Sequence, residues 1–230
     1  GTYATQCRKY FGDMAIEGVE IDEKITDLSR KYFSLPEDVP VTTYDGRAYL
    51  QAVDEKYDVI MVDAYQDITI PFQMSAFWPS DIKFPGNIER IENYLTENGV
   101  MVVNMNMRGS GEGNINQYLA DTIASVFGTV YTADVKGSTN RELFASNQED
   151  MLDTLKNNAG NLANADLQNM MLAVADTSTQ YDGGGYIMTD DKAPVELLGM
   201  QVIDQVIKEE VAYYKGIYEE QGLDGLLQSL

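Results

Sequence analysis

Short apolar runs of strand length alternate with segments of helical period along much of the chain. Met14–Ile21 reads as a short buried strand. Asp22 then caps a helix whose Ile25, Leu28 and Tyr32 share one face. Val41–Tyr44 is β-rich, Arg47–Val53 helical, and Tyr57–Asp63 a strand. Asn87–Asn98 is helical by its Ile88, Ile91, Leu95 spacing, with Gly99 as its stop and Val100–Met105 as the next strand. Parallel strands cannot be joined by tight turns and need crossovers, so this alternation predicts an α/β fold whose sheet is mostly parallel and covered on both faces. Thr2–Phe11 precedes it as a helix ended by Gly12-Asp13, and another helix spans about Ile115–Phe127. Thr129–Val135 and Arg141–Ser146, around Gly137 and Asn140, predict a late antiparallel hairpin.

The remainder is less regular. Ala64–Pro85 has three prolines and no clear period, which predicts a long ordered loop. Asp150–Ala175 reads as one or two helices, a lid or a dimer surface. Gly183–Gly185 lacks the lysine of a phosphate loop and reads as a turn. Val195–Tyr218 is helical, with Leu197, Leu198, Val202, Val206 and Ile207 available for burial. No repeat or long linker divides the chain, so 1–230 is expected to be one domain, with a nucleoside-binding core over 1–147 and a helical C-terminal extension over 148–230.

Composition narrows the chemistry. The 230 residues include 37 acidic and 16 basic side chains, no histidine and one cysteine. An intrachain disulfide, thiolate or imidazole zinc sites and a histidine general base are therefore excluded, and no metal is expected; catalysis rests on carboxylates, hydroxyls or amides. A net charge of −21 repels nucleic acid and anionic membranes and favours cationic ligands. The apolar runs fall short of the roughly 20 residues a membrane span needs, so a soluble, cytoplasmic piece is expected.

Three acids sit where predicted strands end: Glu20, Asp45 and Asp63. In an open parallel sheet the carboxyl ends of the strands line one crevice, where ligands bind. An acid at the end of the second strand accepts hydrogen bonds from ribose hydroxyls, and Glu20 lies 19 positions after Gly1, close to the separation expected for that pairing. The three carboxylates are expected to meet at one rim and serve a nucleoside. Tyr3, Tyr49, Tyr65 and Trp78 are candidates to line its pocket.

The segments Gly1-Thr2-Tyr3-Ala4, Val19-Glu20-Ile21-Asp22, Tyr44-Asp45-Gly46-Arg47-Ala48-Tyr49-Leu50 and Val62-Asp63-Ala64-Tyr65 with Ile70-Pro71-Phe72, and later Thr189–Glu196, resemble the spermidine synthase family, particularly its bacterial spermidine-synthase-like branch. The resemblance runs from residue 1 to about 105 and returns near 189. It implies a Rossmann-like fold of the S-adenosylmethionine-dependent methyltransferase type and aminopropyl transfer from decarboxylated S-adenosylmethionine to a polyamine such as putrescine. By resemblance, Gly1, Glu20, Asp22, Asp45 and Gly46 form the donor-binding group: Glu20 holds the ribose hydroxyls, and Asp45 with the Gly46 backbone reads the adenine. Asp63 is the catalytic carboxylate. Homodimers are common in the family.

Two departures stand out. The family's second aspartate, three positions after the strand acid, is Gln66 here, and the next acid is Asp67. Gln66 and Tyr65 are candidate amine contacts, and Asp67 is a candidate second catalytic acid if the loop bulges by one residue. The chain also opens on what resembles the last glycine of a Gly-rich loop, so the first strand is expected to lie upstream, together with any membrane attachment of the kind found in the related branch. Methyl transfer from S-adenosylmethionine and a binding domain without turnover are the alternative readings; an NAD-dependent oxidoreductase ranks below them.

Overall fold

A computed structural model describes residues 1–64, 94–106, 113–189 and 192–229. The chain forms two compact units, Gly1–Glu55 and Lys56–Leu230.

The first unit begins with helix α1 (Thr2–Phe11), followed by strand β1 (Gly18–Glu20), helix α2 (Glu23–Phe33), strand β2 (Val41–Thr43) and helix α3 (Gly46–Ala52). β1 and β2 pair in parallel, Gly18 with Val41 and Glu20 with Thr43, so β1-α2-β2 is the expected crossover. The β1 strand is shorter than Met14–Ile21 suggested. Its partner supplies three register positions, and the ladder closes with Gly18 N–H donating to Pro40 O and Tyr44 N–H to Glu20 O. Asp22 caps α2 by accepting from Lys24 N–H at 2.9 Å; Glu23 at its start and Arg30 and Lys31 at its end complement the helix dipole. Arg30 donates to the carbonyls of Pro36 and Val39 and so ties the β2 approach to the helix. Ala4, Leu35 and Val39 form the core.

The second unit contains strands β3 (Tyr57–Val62) and β4 (Leu95–Asn106), helix α4 (Ile115–Ala124), the β5 (Thr129–Asp134) and β6 (Asn140–Ser146) hairpin, helices α5 (Met151–Gly160) and α6 (Ala165–Thr177), the short β7 (Thr179–Gln180) and helix α7 (Val195–Ser229). Its sheet order is β3-β4-β6-β5-β7; β3–β4 is parallel and the other pairs antiparallel. The fold is thus α/β, with parallel pairs and the late hairpin expected from the sequence. On β4, Met101, Val103 and Met105 are fully buried and alternate with partly exposed Val102, Asn104 and Asn106. Within the ladder Met101 pairs with Ala145 and Val103 with Leu143 of β6, and Ile115, Leu119 and Ile123 of α4, a helix that contacts β5 and β6, are buried as well.

Three expectations are corrected. Residues 95–98 are not the end of a helix: Leu95 pairs with Tyr57 and starts β4, and the register shifts before Val59 meets Val100. Cross-strand pairing and the burial of Leu95 override the local helical period. Gly99 is therefore no helix stop. A Cβ there would lie 2.9 Å from the Leu95 Cβ and 3.0 Å from the Tyr57 carbonyl, so the irregularity in the strand requires glycine. Helix α7 runs beyond Tyr218 to Ser229 with a break at Gly222, and Leu198 and Val202 are buried while Leu197 and Ile207 remain exposed. Asp150–Ala175 resolves into α5 and α6, which pack together. Gly183–Gly185, read as a turn, lies in irregular backbone with a bend at Gly185: Gly183 and Gly184 have φ of 68° and 105°, and Gly185 lies against the Asp121 carboxylate.

Candidate functional site

In the first unit, the parallel register sets Glu20 opposite Thr43, so Glu20 and Asp45 follow the carboxyl ends of neighbouring strands. Both carboxylates are half-buried and tied to nearby backbone. Glu20 Oε1 accepts from Asp22 N–H at 3.0 Å, and Asp45 Oδ1 caps α3 by accepting from Ala48 N–H at 2.9 Å. Each acid thus spends one oxygen on local structure, and its second oxygen has no protein donor in the hydrogen bonds of the described residues. Gly46 opens α3, and a Cβ there would meet nothing within 4 Å. Asp22 serves as the α2 cap. Gly1 precedes α1 in close contact with Leu35: a Cβ at Gly1 would lie 3.0 Å from the Leu35 Cβ. Tyr49 donates to Glu17 Oε1 at 3.1 Å. Burial and contact with Cys7 push the Tyr3 phenol up to about 12.

Asp63 belongs to the second unit, immediately after β3, where it is exposed. Asn104 Nδ2 donates to Asp63 Oδ1 at 2.9 Å. Asn104 lies directly opposite Glu142 of β6 in the antiparallel ladder. Glu142 is half-buried, and burial, followed by the charge of Asp63, holds its pKa above the ordinary glutamate value. Sequence reasoning missed Asn104 and Glu142. They reach Asp63 only through the β3–β4–β6 strand order, which no local period encodes. Tyr65, Gln66 and Asp67 lie outside the described residues, as does Trp78.

Among the described residues, no three His, Cys, Asp or Glu side chains gather to hold a metal ion, and no helix is long and apolar enough to cross a membrane. The arrangement offers acceptors for hydroxyl, amine and ammonium donors.

The sequence profile of the spermine/spermidine synthase domain matches residues 1–133. The chain belongs to that family. A Bifidobacterium longum (strain NCC 2705) protein named "Probable polyamine aminopropyl transferase" is 49% identical over 247 residues, covering all of this chain and 54% of the relative. The chain therefore spans about half the length of that curated relative. Among solved structures, human methyltransferase-like protein 13 in complex with SAH aligns with 74% of this chain and 73% of its own at 18% identity and a TM-score of 0.49.

Proposed function

We propose that this member of the spermine/spermidine synthase domain family transfers an aminopropyl group from decarboxylated S-adenosylmethionine to a polyamine such as putrescine. The observation that carries this reading is the family match over residues 1–133, which spans the strand-end acids Glu20, Asp45 and Asp63.

In this reading Glu20 Oε2 accepts from the ribose hydroxyls while Oε1 stays on the Asp22 amide. Asp45 and the Gly46 backbone read the adenine edge, and the open space at Gly46 suits close approach of a flat base. The acceptor amine is protonated at neutral pH, since alkylamines titrate near pH 10.4. Asp63 orients that ammonium and accepts a proton from it. The freed nitrogen lone pair then attacks the methylene carbon beside the sulfonium. A C–N bond forms, the C–S bond breaks, and methylthioadenosine leaves neutral. In a site of effective dielectric about 20, one close carboxylate–ammonium pair contributes roughly 4 kcal/mol before desolvation, against about 1 in water. The decarboxylated donor has no carboxylate to be repelled by Asp63.

Incubation with decarboxylated S-adenosylmethionine and a panel of di- and polyamines tests the proposal: methylthioadenosine release that depends on the amine is expected. Its absence across the panel would refute transfer, and S-adenosylhomocysteine formed from S-adenosylmethionine would indicate a methyltransferase instead.

A further inference from the structure

Strand β6 brings a second carboxylate to the Asp63 end of the sheet. Side chains alternate along β4, and the face carrying Asn104 is opposite the buried Met101, Val103 and Met105 row. Glu142 pairs directly with Asn104 and shares that face, while Asn104 holds Asp63 through its amide. Asp63, Asn104 and Glu142 therefore form one row across β3, β4 and β6.

Glu142 Oε2 is shielded from solvent and has no hydrogen-bond partner among the described residues. A shielded polar atom left without a partner is destabilising, and more so when charged. Among the described residues no Lys or Arg forms an ion pair with Asp63 or Glu142; the neighbouring Arg141 is engaged by Asp134 at 2.6 Å. Asp63 is near enough for its charge to act on Glu142. The row thus has two acids and an unmet need for a cationic donor.

We infer that Glu142 receives the second ammonium of a diamine or longer polyamine whose reacting amine is oriented by Asp63. The inference rests on the amine-acceptor reading of Asp63 proposed above. The spacing suits it. Strands β3 and β6 flank β4 and so lie roughly 10 Å apart, and the Asp63 carboxylate leans toward β4, where it meets Asn104. An extended four-carbon diamine sets its nitrogens about 6 Å apart by its bond lengths. A monoamine leaves Glu142 unmet, so the row selects for a second cationic centre.

The test compares butane-1,4-diamine with butan-1-amine as acceptors for the wild type, Glu142→Gln and Glu142→Asp. The assignment predicts that Glu142→Gln lowers kcat/KM for the diamine on the order of ten- to a hundredfold. The KM for decarboxylated donor and the kcat/KM for the monoamine should stay unchanged, and Glu142→Asp, which keeps the charge, should recover part of the loss. Equal losses for both acceptors, or no loss for the diamine, would overturn it. Calorimetry of diamine binding in the presence of methylthioadenosine separates this inference from transfer itself. If the wild type binds diamine and Glu142→Gln binds it more weakly, the assignment stands even where no turnover is seen. Equal binding by both proteins, or none by the wild type, refutes it.

Discussion

The two compact units hold their acids in different ways. In the first, Glu20 and Asp45 are fixed by amides two and three residues further along the chain, so strand end, helix cap and candidate ligand contact are one local device. In the second, Asp63 is fixed by an amide 41 residues away, and Glu142 enters through an antiparallel strand inserted next to β4. Local devices tolerate the loss of ligand, because one carboxylate oxygen is already occupied by backbone. A cross-strand row relies on its ligand more heavily, because Glu142 Oε2 is shielded without a donor. Under the roles proposed above, Glu20 and Asp45 govern nucleoside binding, and Asp63 and Glu142 govern chemistry and acceptor choice.

The sharpest break between the two is Asp63→Asn. It keeps the size of the side chain and removes the proton acceptor, so kcat should fall on the order of 10²–10⁴-fold while donor KM changes little, measured by methylthioadenosine release. A mainly raised donor KM would put Asp63 with the nucleoside contacts and erase the division. Glu20→Gln should do the reverse. Its amide oxygen can still accept from the Asp22 N–H, whereas the charge-assisted bonds to the ribose are weakened, so donor KM should rise roughly tenfold to a hundredfold with kcat nearly kept.

Cap substitutions give a smaller effect. Asp22→Ala and Asp45→Ala each remove a helix N-cap and should destabilise the protein by about 1 kcal/mol, measured by urea unfolding. Only the Asp45 change should also weaken donor binding strongly, if Asp45 reads the adenine and Asp22 acts chiefly as a cap. Equal effects on donor affinity would assign Asp22 a direct contact as well.

The smallest expected signal is the pH dependence of stability at Glu142. Burial and the Asp63 charge raise its pKa in the folded state, so the folded protein keeps this proton to higher pH than the unfolded chain does. Stability from this group is full below the ordinary glutamate range, and it falls as pH rises from there through the raised folded value. Glu142→Gln should remove that fall. By calorimetry the two proteins should melt alike near pH ~4, close to the ordinary glutamate pKa. The variant should melt higher at pH 8. A wild type that melts higher at pH 8 would mean that the ionised carboxylate is already compensated.

The same contrast explains what could be read from the sequence. Asp22 followed by Glu23 announces a helix start because a cap acts within three residues, and α2 begins there; Asp45, read as a strand-end acid, caps α3 by the same short-range geometry. The parallel β1–β2 pair and the β5–β6 hairpin follow from short apolar runs separated by a helix or a turn. Leu95–Asn98 was misleading for the opposite reason: its helical spacing is real, but pairing with Tyr57 decides its state. Strand-end acids were legible because their place follows from local pattern. The Asn104–Glu142 juxtaposition was not, because it is created by the insertion of β6 between β4 and β5.

The most direct test identifies both products by mass spectrometry after incubation with decarboxylated S-adenosylmethionine and butane-1,4-diamine. Equimolar methylthioadenosine and aminopropylated diamine, abolished by Asp63→Asn, is the predicted result. An unmodified diamine with intact donor, or a methylated amine formed only from S-adenosylmethionine, would contradict it.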